Sequence, residues 1–281
     1  MLWMIPLRDY RVSGRRPWAT YVLIGLNVLV FLYTLIIPDR GYVLVDGCAW
    51  QDAFRQSPPG FNWRTYRLYG RPPCYYPVTP RDRFYIQYGL IPAEFLSGKD
   101  LDPTVPFPIW LTLLTSMFLH AGWLHLIGNM WYLWIFGDNV EASMGSLRYL
   151  LFYLLSGAGA AGLQMAVSGR STVPMVGASG AISGVMGAYF VLFPWSRILT
   201  LVPIWFFLQL VEVPAFVFLG LWFLLQFFSG LVDLQSLGGT AWWAHIGGFL
   251  AGGLLVFLFK RREVIPGAQV WWQRRFSRGP W

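Results

Sequence analysis

The sequence predicts an all-α polytopic membrane protein of six helices, and three observations carry that prediction. The chain is 56% hydrophobic and only 12% charged, with a mean hydropathy of +0.49. Such values exclude disorder and argue against an ordinary soluble domain. Its apolar residues fall in continuous runs of bilayer-spanning length, each bounded by turn or charge signals. Basic residues gather at both ends, which fits an even number of crossings with both termini cytoplasmic. Continuous runs, rather than alternating ones, argue against a transmembrane barrel.

The first element follows Arg8, Arg11, Arg15 and Arg16, which lie in a basic N-terminal segment, residues 1–17. The apolar run 18–37 is long enough to span the bilayer and is followed by Pro38-Asp39-Arg40 rather than a small-residue cleavage site. It reads as an uncleaved signal anchor. Residues 38–109 form a long outer-side loop rich in Pro, Gly, Tyr and Arg. Long loops translocate regardless of their charge, so its arginines are compatible with that side. It holds both cysteines, Cys48 and Cys74. In an oxidising compartment they could pair as a disulfide; two free thiols are the alternative, and spacing does not decide.

Five further spans are predicted at 123–140, 147–167, 179–193, 215–230 and 240–259. Residues 195–214 are apolar but interrupted by Arg197, Pro203, Glu212 and Pro214, and read as a loop or interfacial segment between spans four and five. The six-span core covers 18–260, and residues 261–281 form a basic, Trp-rich cytoplasmic tail. Sixteen tryptophans suit the aromatic belts of a bilayer. A net charge of +8 in a soluble protein would suggest nucleic acid. Here the basic tails make membrane orientation the better account, with the lipid bilayer as partner and no nucleic acid.

All three histidines lie in two apolar motifs, His120-Ala-Gly-Trp-Leu-His125-Leu-Ile-Gly-Asn129 and Ala244-His245-Ile-Gly-Gly248-Phe-Leu-Ala-Gly252. Between them stands Gly177-Ala-Ser179-Gly180, where an apolar run begins. Polar groups within a membrane are costly and usually functional. With a cytoplasmic N-terminus, spans two, four and six run inward, and their outer ends carry His125 with Asn129, Ser179, and His245. At ~1.5 Å per residue, all lie within one or two turns of their span's start. At about 100° per residue, His125 and Asn129 are roughly 40° apart and share a face, whereas His120 and His125 differ by roughly 140°. His120 therefore belongs to the loop before the helix. Gly180-xxx-Gly184 and Gly248-xxx-Gly252 are patterns that let helix backbones approach closely. If those faces pack together, Ser179 and His245 come within reach.

Taken singly, each residue has a plainer reading. A serine at a helix start is most often an N-cap, a glycine a packing residue, and a membrane histidine or asparagine a bridge between helices. Three histidines could also bind zinc. The zincin spacing, however, is His-x-x-x-His with an adjacent Glu, and here four residues separate His120 from His125 with no Glu between. Together the residues suit acyl transfer without metal or cofactor. A serine hydroxyl needs a base to take its proton, and His245 is the candidate. The backbone N–H of Ser179, the Asn129 amide and the His125 ring could serve the oxyanion, helped by the dipole of a helix starting at Ser179. The nearest carboxylate preceding His245 is Asp233, too weak a signal for a triad, so a Ser–His dyad is expected.

These residues resemble the rhomboid family of intramembrane serine proteases. The long match is Leu113-Leu-Thr-Ser-Met-Phe-Leu-His120-Ala-Gly-Trp-Leu-His125-Leu-Ile-Gly-Asn129-Met-Trp-Tyr-Leu-Trp-Ile-Phe-Gly137-Asp-Asn-Val-Glu141, joined by Val176-Gly-Ala-Ser179-Gly180-Ala and Ala244-His245-xx-Gly248-xxx-Gly252. The likeness covers roughly residues 18–259. It implies a six-helix rhomboid-like bundle, with Ser179 as nucleophile, His245 as base, and His125 and Asn129 in the oxyanion hole. It further implies a supporting role for His120, a helix-tying role for Glu141, and single-span transmembrane substrates cut near the outer face at small residues. Three features depart from the family pattern. Trp110-Leu111 stands where a Trp-Arg pair is common, and Ser183 stands where some members place a tyrosine on the catalytic histidine. The segment with Cys48 and Cys74 is unusually long. What orients His245 is thus left open.

Two other classes compete with an enzyme. A non-catalytic relative that binds or escorts client helices would typically lack the serine or the histidine, and both are present. A transporter would carry more intramembrane charge or inverted broken helices. Span five and residues 195–214, broken at Pro203 and Pro214, are candidates for a lateral substrate gate.

Overall fold

In the computed structural model the described residues are 4–11, 14–47, 49–50, 75–204, 207–233 and 241–261. Strand β1 (Ile5–Asp9) precedes helix α1 (Trp18–Ile36). Strands β2 (Val43–Asp46) and β3 (Tyr75–Val78) pair antiparallel on the following segment. Next come the short helices α2 (Pro80–Tyr88) and α3 (Pro92–Ser97), then helical turns between Ile109 and Phe118. Helices α4 (Trp123–Met144), α5 (Ser146–Ser168) and α6 (Ser179–Leu192) follow. Strands β4 (Arg197–Ile204) and β5 (Phe207–Pro214) lead into α7 (Ala215–Asp233) and α8 (Trp242–Phe259).

The chain is therefore mostly rather than wholly helical, which corrects the all-α expectation. Where the sequence predicts a loop or interfacial segment over 195–214, two paired strands stand: β4 pairs with β5 from Arg197↔Pro214 to Ile204↔Phe207, and β1 completes the sheet on the other edge of β4. A short apolar run is ambiguous between states, and the partner β1 comes from the far end of the chain. The expected count of six spans is met in part. Among the described helices, α1, α5, α7 and α8 are long and apolar enough to cross a bilayer. Helix α4 makes a fifth only together with the preceding turns, from which it is bent by 83°. Helix α6 has 14 residues and falls short of the usual span.

Helix α6 lies at the centre, buried along nearly its whole length from Ala181 to Tyr189. Large side chains close the core around it, including Phe136, Tyr149, Phe152, Tyr153 and Tyr189. Two carboxylates tie the end opposite Ser179. Glu141 near the end of α4 accepts from the Ala19 and Thr20 amides at 2.9 and 2.8 Å, from Thr20 Oγ1 at 2.8 Å and from Ser146 Oγ at 2.6 Å. It thereby satisfies amides at the start of α1 that would otherwise be orphaned and places a negative charge at the positive end of that helix. Asp9 on β1 accepts from the hydroxyls of Tyr189 and Ser196 and from Asn139 Nδ2. Burial raises its carboxyl above the ordinary range despite these bonds. The sheet is thus pinned to α4 and α6 by the sole acid in a basic segment.

The segment between α1 and α4 has a small core of its own, formed by Val45, Trp50, Val78, Ile86 and Ile91. It docks on the main body through reciprocal backbone bonds between Leu90 and Met175, at 3.1 and 2.8 Å. Cys48 and Cys74 lie outside the described residues. Glu94 on α3 is buried, and desolvation, reinforced by Asp100, pushes its carboxyl up to about 8 although the Leu101 amide donates to it. A raised carboxyl favours folding fully below its ordinary pKa near 4.5, and that contribution is lost as pH climbs through about 8. Hydrogen-exchange protection around Leu101, corrected for intrinsic rate, is expected to fall between pH 5 and about 8.5. Glu94→Gln should flatten that dependence; an unchanged slope in the variant would refute it.

Candidate active site

Ser179 opens α6, and Gly177 sets its entry. Gly177 has φ of +129°, a conformation that L side chains rarely adopt. Its amide donates to the Ser116 carbonyl at 2.9 Å. A Cβ there would lie 2.8 Å from both Cε1 and Nε2 of His125 and 3.7 Å from Ser179 Oγ. Gly177 therefore marks where the His125 ring edge and the serine hydroxyl converge, with no room for a side chain between them.

His245 sits in the first turn of α8, and its Nε2 is 2.8 Å from Ser179 Oγ. Its other nitrogen, Nδ1, is 2.7 Å from Oε1 of Gln226 on α7. The Trp222 ring is tilted at 6.1 Å and the Trp242 ring lies edge-on at 6.3 Å. Ser183, one turn below Ser179, donates back to the Ser179 carbonyl at 2.7 Å and so spends its hydroxyl on the helix backbone.

The helices that carry the pair touch backbone to backbone. A Cβ on Gly248 would stand 2.0 Å from the Gly180 carbonyl oxygen, and one on Gly252 would stand 2.0 Å from that of Gly184. A Cβ on Gly180 would meet Ala160 on α5, and one on Gly184 would meet Ser156. Ser179 and His245, 66 residues apart in sequence, meet because these glycines remove every atom that would separate α6 from α8.

Helix α4 brings in His125 and Asn129. Asn129 is buried, and its Nδ2 makes no hydrogen bond in the structure, so a donor is unspent there. His120 precedes the helix, fully buried, with its ring 5.0 Å from that of His125. The His120 carbonyl accepts from Tyr85 on α2 at 2.7 Å, which links the segment between α1 and α4 to the site. Glu141 lies at the other end of α4 and ties helices together away from the dyad. Beside Ser179 is a cavity of about 50 Å³, lined by Met117, Gly157, Ala160, Met175, Gly180 and Ala244 among others.

Sequence reasoning missed Gln226 and the constraint on Gly177. Gln226 is the lone amide in the run Leu221-Trp-Phe-Leu-Leu-Gln226-Phe-Phe; a polar group so placed is itself a signal.

A family model for the Rhomboid domain matches residues 108–262. The chain is 33% identical over 163 residues to Rhomboid-like protein 11, chloroplastic, of Arabidopsis thaliana, covering 55% of this chain and 54% of that protein. It is 26% identical over 259 residues to Rhomboid protein 1, mitochondrial, of Saccharomyces cerevisiae, covering 86% and 64%. To Rhomboid protease GluP of Bacillus subtilis it is 44% identical over 81 residues, covering 28% and 15%. The chain thus spans about half the length of the first relative and less than two thirds of the others. With a matched domain over more than half its length and several apolar helices of membrane-spanning size, this multi-pass membrane protein belongs to the rhomboid family.

Proposed function

We propose that this protein is an intramembrane serine endopeptidase that cleaves single-span membrane proteins in or near their transmembrane segment. The observation that carries the reading is the 2.8 Å approach of His245 Nε2 to Ser179 Oγ, supported by a buried, unspent Asn129 amide on the helix that carries His125. In this reading His245 takes the hydroxyl proton as Oγ attacks the scissile carbonyl carbon. The developing oxyanion is met by the Ser179 N–H, Asn129 Nδ2 and the His125 ring, which act in a water-poor site. The imidazolium then gives its proton to the departing amine, and water, activated by the same ring, releases the acyl group.

The proposed topology has six crossings, with α6 as the short fourth and both termini cytoplasmic. The site then opens toward the outer side. Basic residues flanking α1 and α8 support that orientation.

The cavity beside Ser179 supports a small residue on the acyl side of the cut, since its volume of about 50 Å³ is well below the roughly 150 Å³ of a cavity that takes up benzene. Replacing an alanine there by phenylalanine in a model substrate is expected to lower kcat/KM by roughly 10–100-fold; equal rates would refute the assignment. The test of the function itself is reconstitution in liposomes with a single-span substrate, with products mapped by mass. Cleavage by the wild type, lost in Ser179→Ala, together with labelling of Ser179 by a fluorophosphonate, is the expected result. Binding of the substrate without cleavage or labelling would favour a client-escorting relative.

A further inference from the structure

We propose that Gln226 is the positioning residue of the dyad, fixing the tautomer and aim of His245 from a helix that carries neither reacting group. The inference rests on the hydrolase reading above. A histidine that takes a proton at Nε2 must carry its own proton on Nδ1, and something must accept that proton's hydrogen bond. Gln226 Oε1, 2.7 Å from Nδ1, is an acceptor and fits that need. The ring's two hydrogen-bonding partners among the described residues are therefore Ser179 on one side and Gln226 on the other.

Three observations argue that the amide is placed rather than incidental. Gln226 is 2% exposed, and an amide buried in an apolar helix is costly unless bonded. Trp222, one turn earlier on the same helix, packs its ring at 6.1 Å from that of His245, tilted by 38°, so α7 supplies both a hydrogen bond and a ring contact. Ser183 on α6 spends its hydroxyl on the Ser179 carbonyl and gives the ring no hydrogen bond. The orienting contacts thus come chiefly from α7. His125 on α4 is the titratable group that faces His245, and it lies on the serine side rather than at Nδ1.

The experiment uses the full chain in liposomes and follows kcat, KM and the fluorophosphonate labelling rate against pH. Gln226→Leu should lower kcat by roughly 10–100-fold with KM within twofold, because substrate binding is untouched while the base loses its tautomer. Gln226→Glu keeps the acceptor and adds a charge that favours the imidazolium. It should retain most of the labelling rate and move the acidic limb of the pH profile up by about one pH unit. A packing role alone would not move that limb. Should the leucine variant fail to fold, the glutamate variant decides. Leucine activity within twofold of wild type, or a glutamate profile that does not move, overturns the proposal. A wild type that neither labels nor cleaves overturns the hydrolase reading and this inference with it.

Discussion

Replacing His245 with alanine is expected to lower kcat on a membrane-embedded substrate by about 10³-fold or more. Without the ring, Ser179 Oγ keeps its proton at the moment of attack, and the leaving amine has no donor. Ser179→Ala should cost about as much, and the double variant little more, because the two groups act as one unit. KM should stay within a few-fold, since the bulk of the substrate rests on helices that the change does not disturb. Among the described residues the ring's hydrogen bonds go to Ser179 and Gln226; its loss leaves the buried Gln226 amide unbonded, so the thermal midpoint in detergent should fall modestly while the fold survives. If His245→Ala kept a tenth of the wild-type kcat, the dyad would be wrong and another base would have to be sought.

The largest effect on stability is expected at the contact between α6 and α8. One added methyl at Gly252 would sit 2.0 Å from the Gly184 oxygen and 2.4 Å from its carbonyl carbon. Both are backbone atoms and cannot rotate away, so the helices must part, and packing is lost along the whole interface. Gly252→Ala and Gly248→Ala should each cost about 3 kcal/mol. Gly248→Ala should also silence the site, because the oxygen it strikes belongs to Gly180, next to Ser179. Gly220 on α7 is the internal control: a Cβ there meets nothing within 4 Å. Gly220→Ala should be neutral or slightly stabilising, by up to about 1 kcal/mol. Thermal or denaturant unfolding of the three variants checks this; equal midpoints would show that the interface yields.

Much of this arrangement is legible in the sequence because membrane helices are written in long apolar runs, and any polar residue within one stands out. Ser179 is readable as a helix start because two small residues and an apolar run surround it. The strand pair is not legible: β4 and β5 offer apolar residues on both faces, so neither the two-residue nor the helical period emerges. Their third strand lies some 190 residues away in the chain, held by Asp9 to Tyr189 and Ser196. Gln226 was visible as a letter, but nothing in its spacing says that it faces His245, since α7 and α8 are related only by tertiary packing. The segment between α1 and α4 shows no motif at all, yet through Leu90 and Tyr85 it steadies the backbone leading to Ser179 and the carbonyl of His120.

The brevity of α6 has a further consequence. Its 14 residues rise about 21 Å, against a hydrocarbon thickness of about 30 Å. In the proposed topology, with its lower end at the inner boundary, the helix would stop roughly 9 Å below the outer one. A client helix threaded beside it would present the peptide bond about six residues inside its own outer boundary. For the proposed peptidase, helix length would then work as a depth gauge, adding immersion to side-chain size as a criterion for the bond, and local bilayer thickness would help to set where the cut falls.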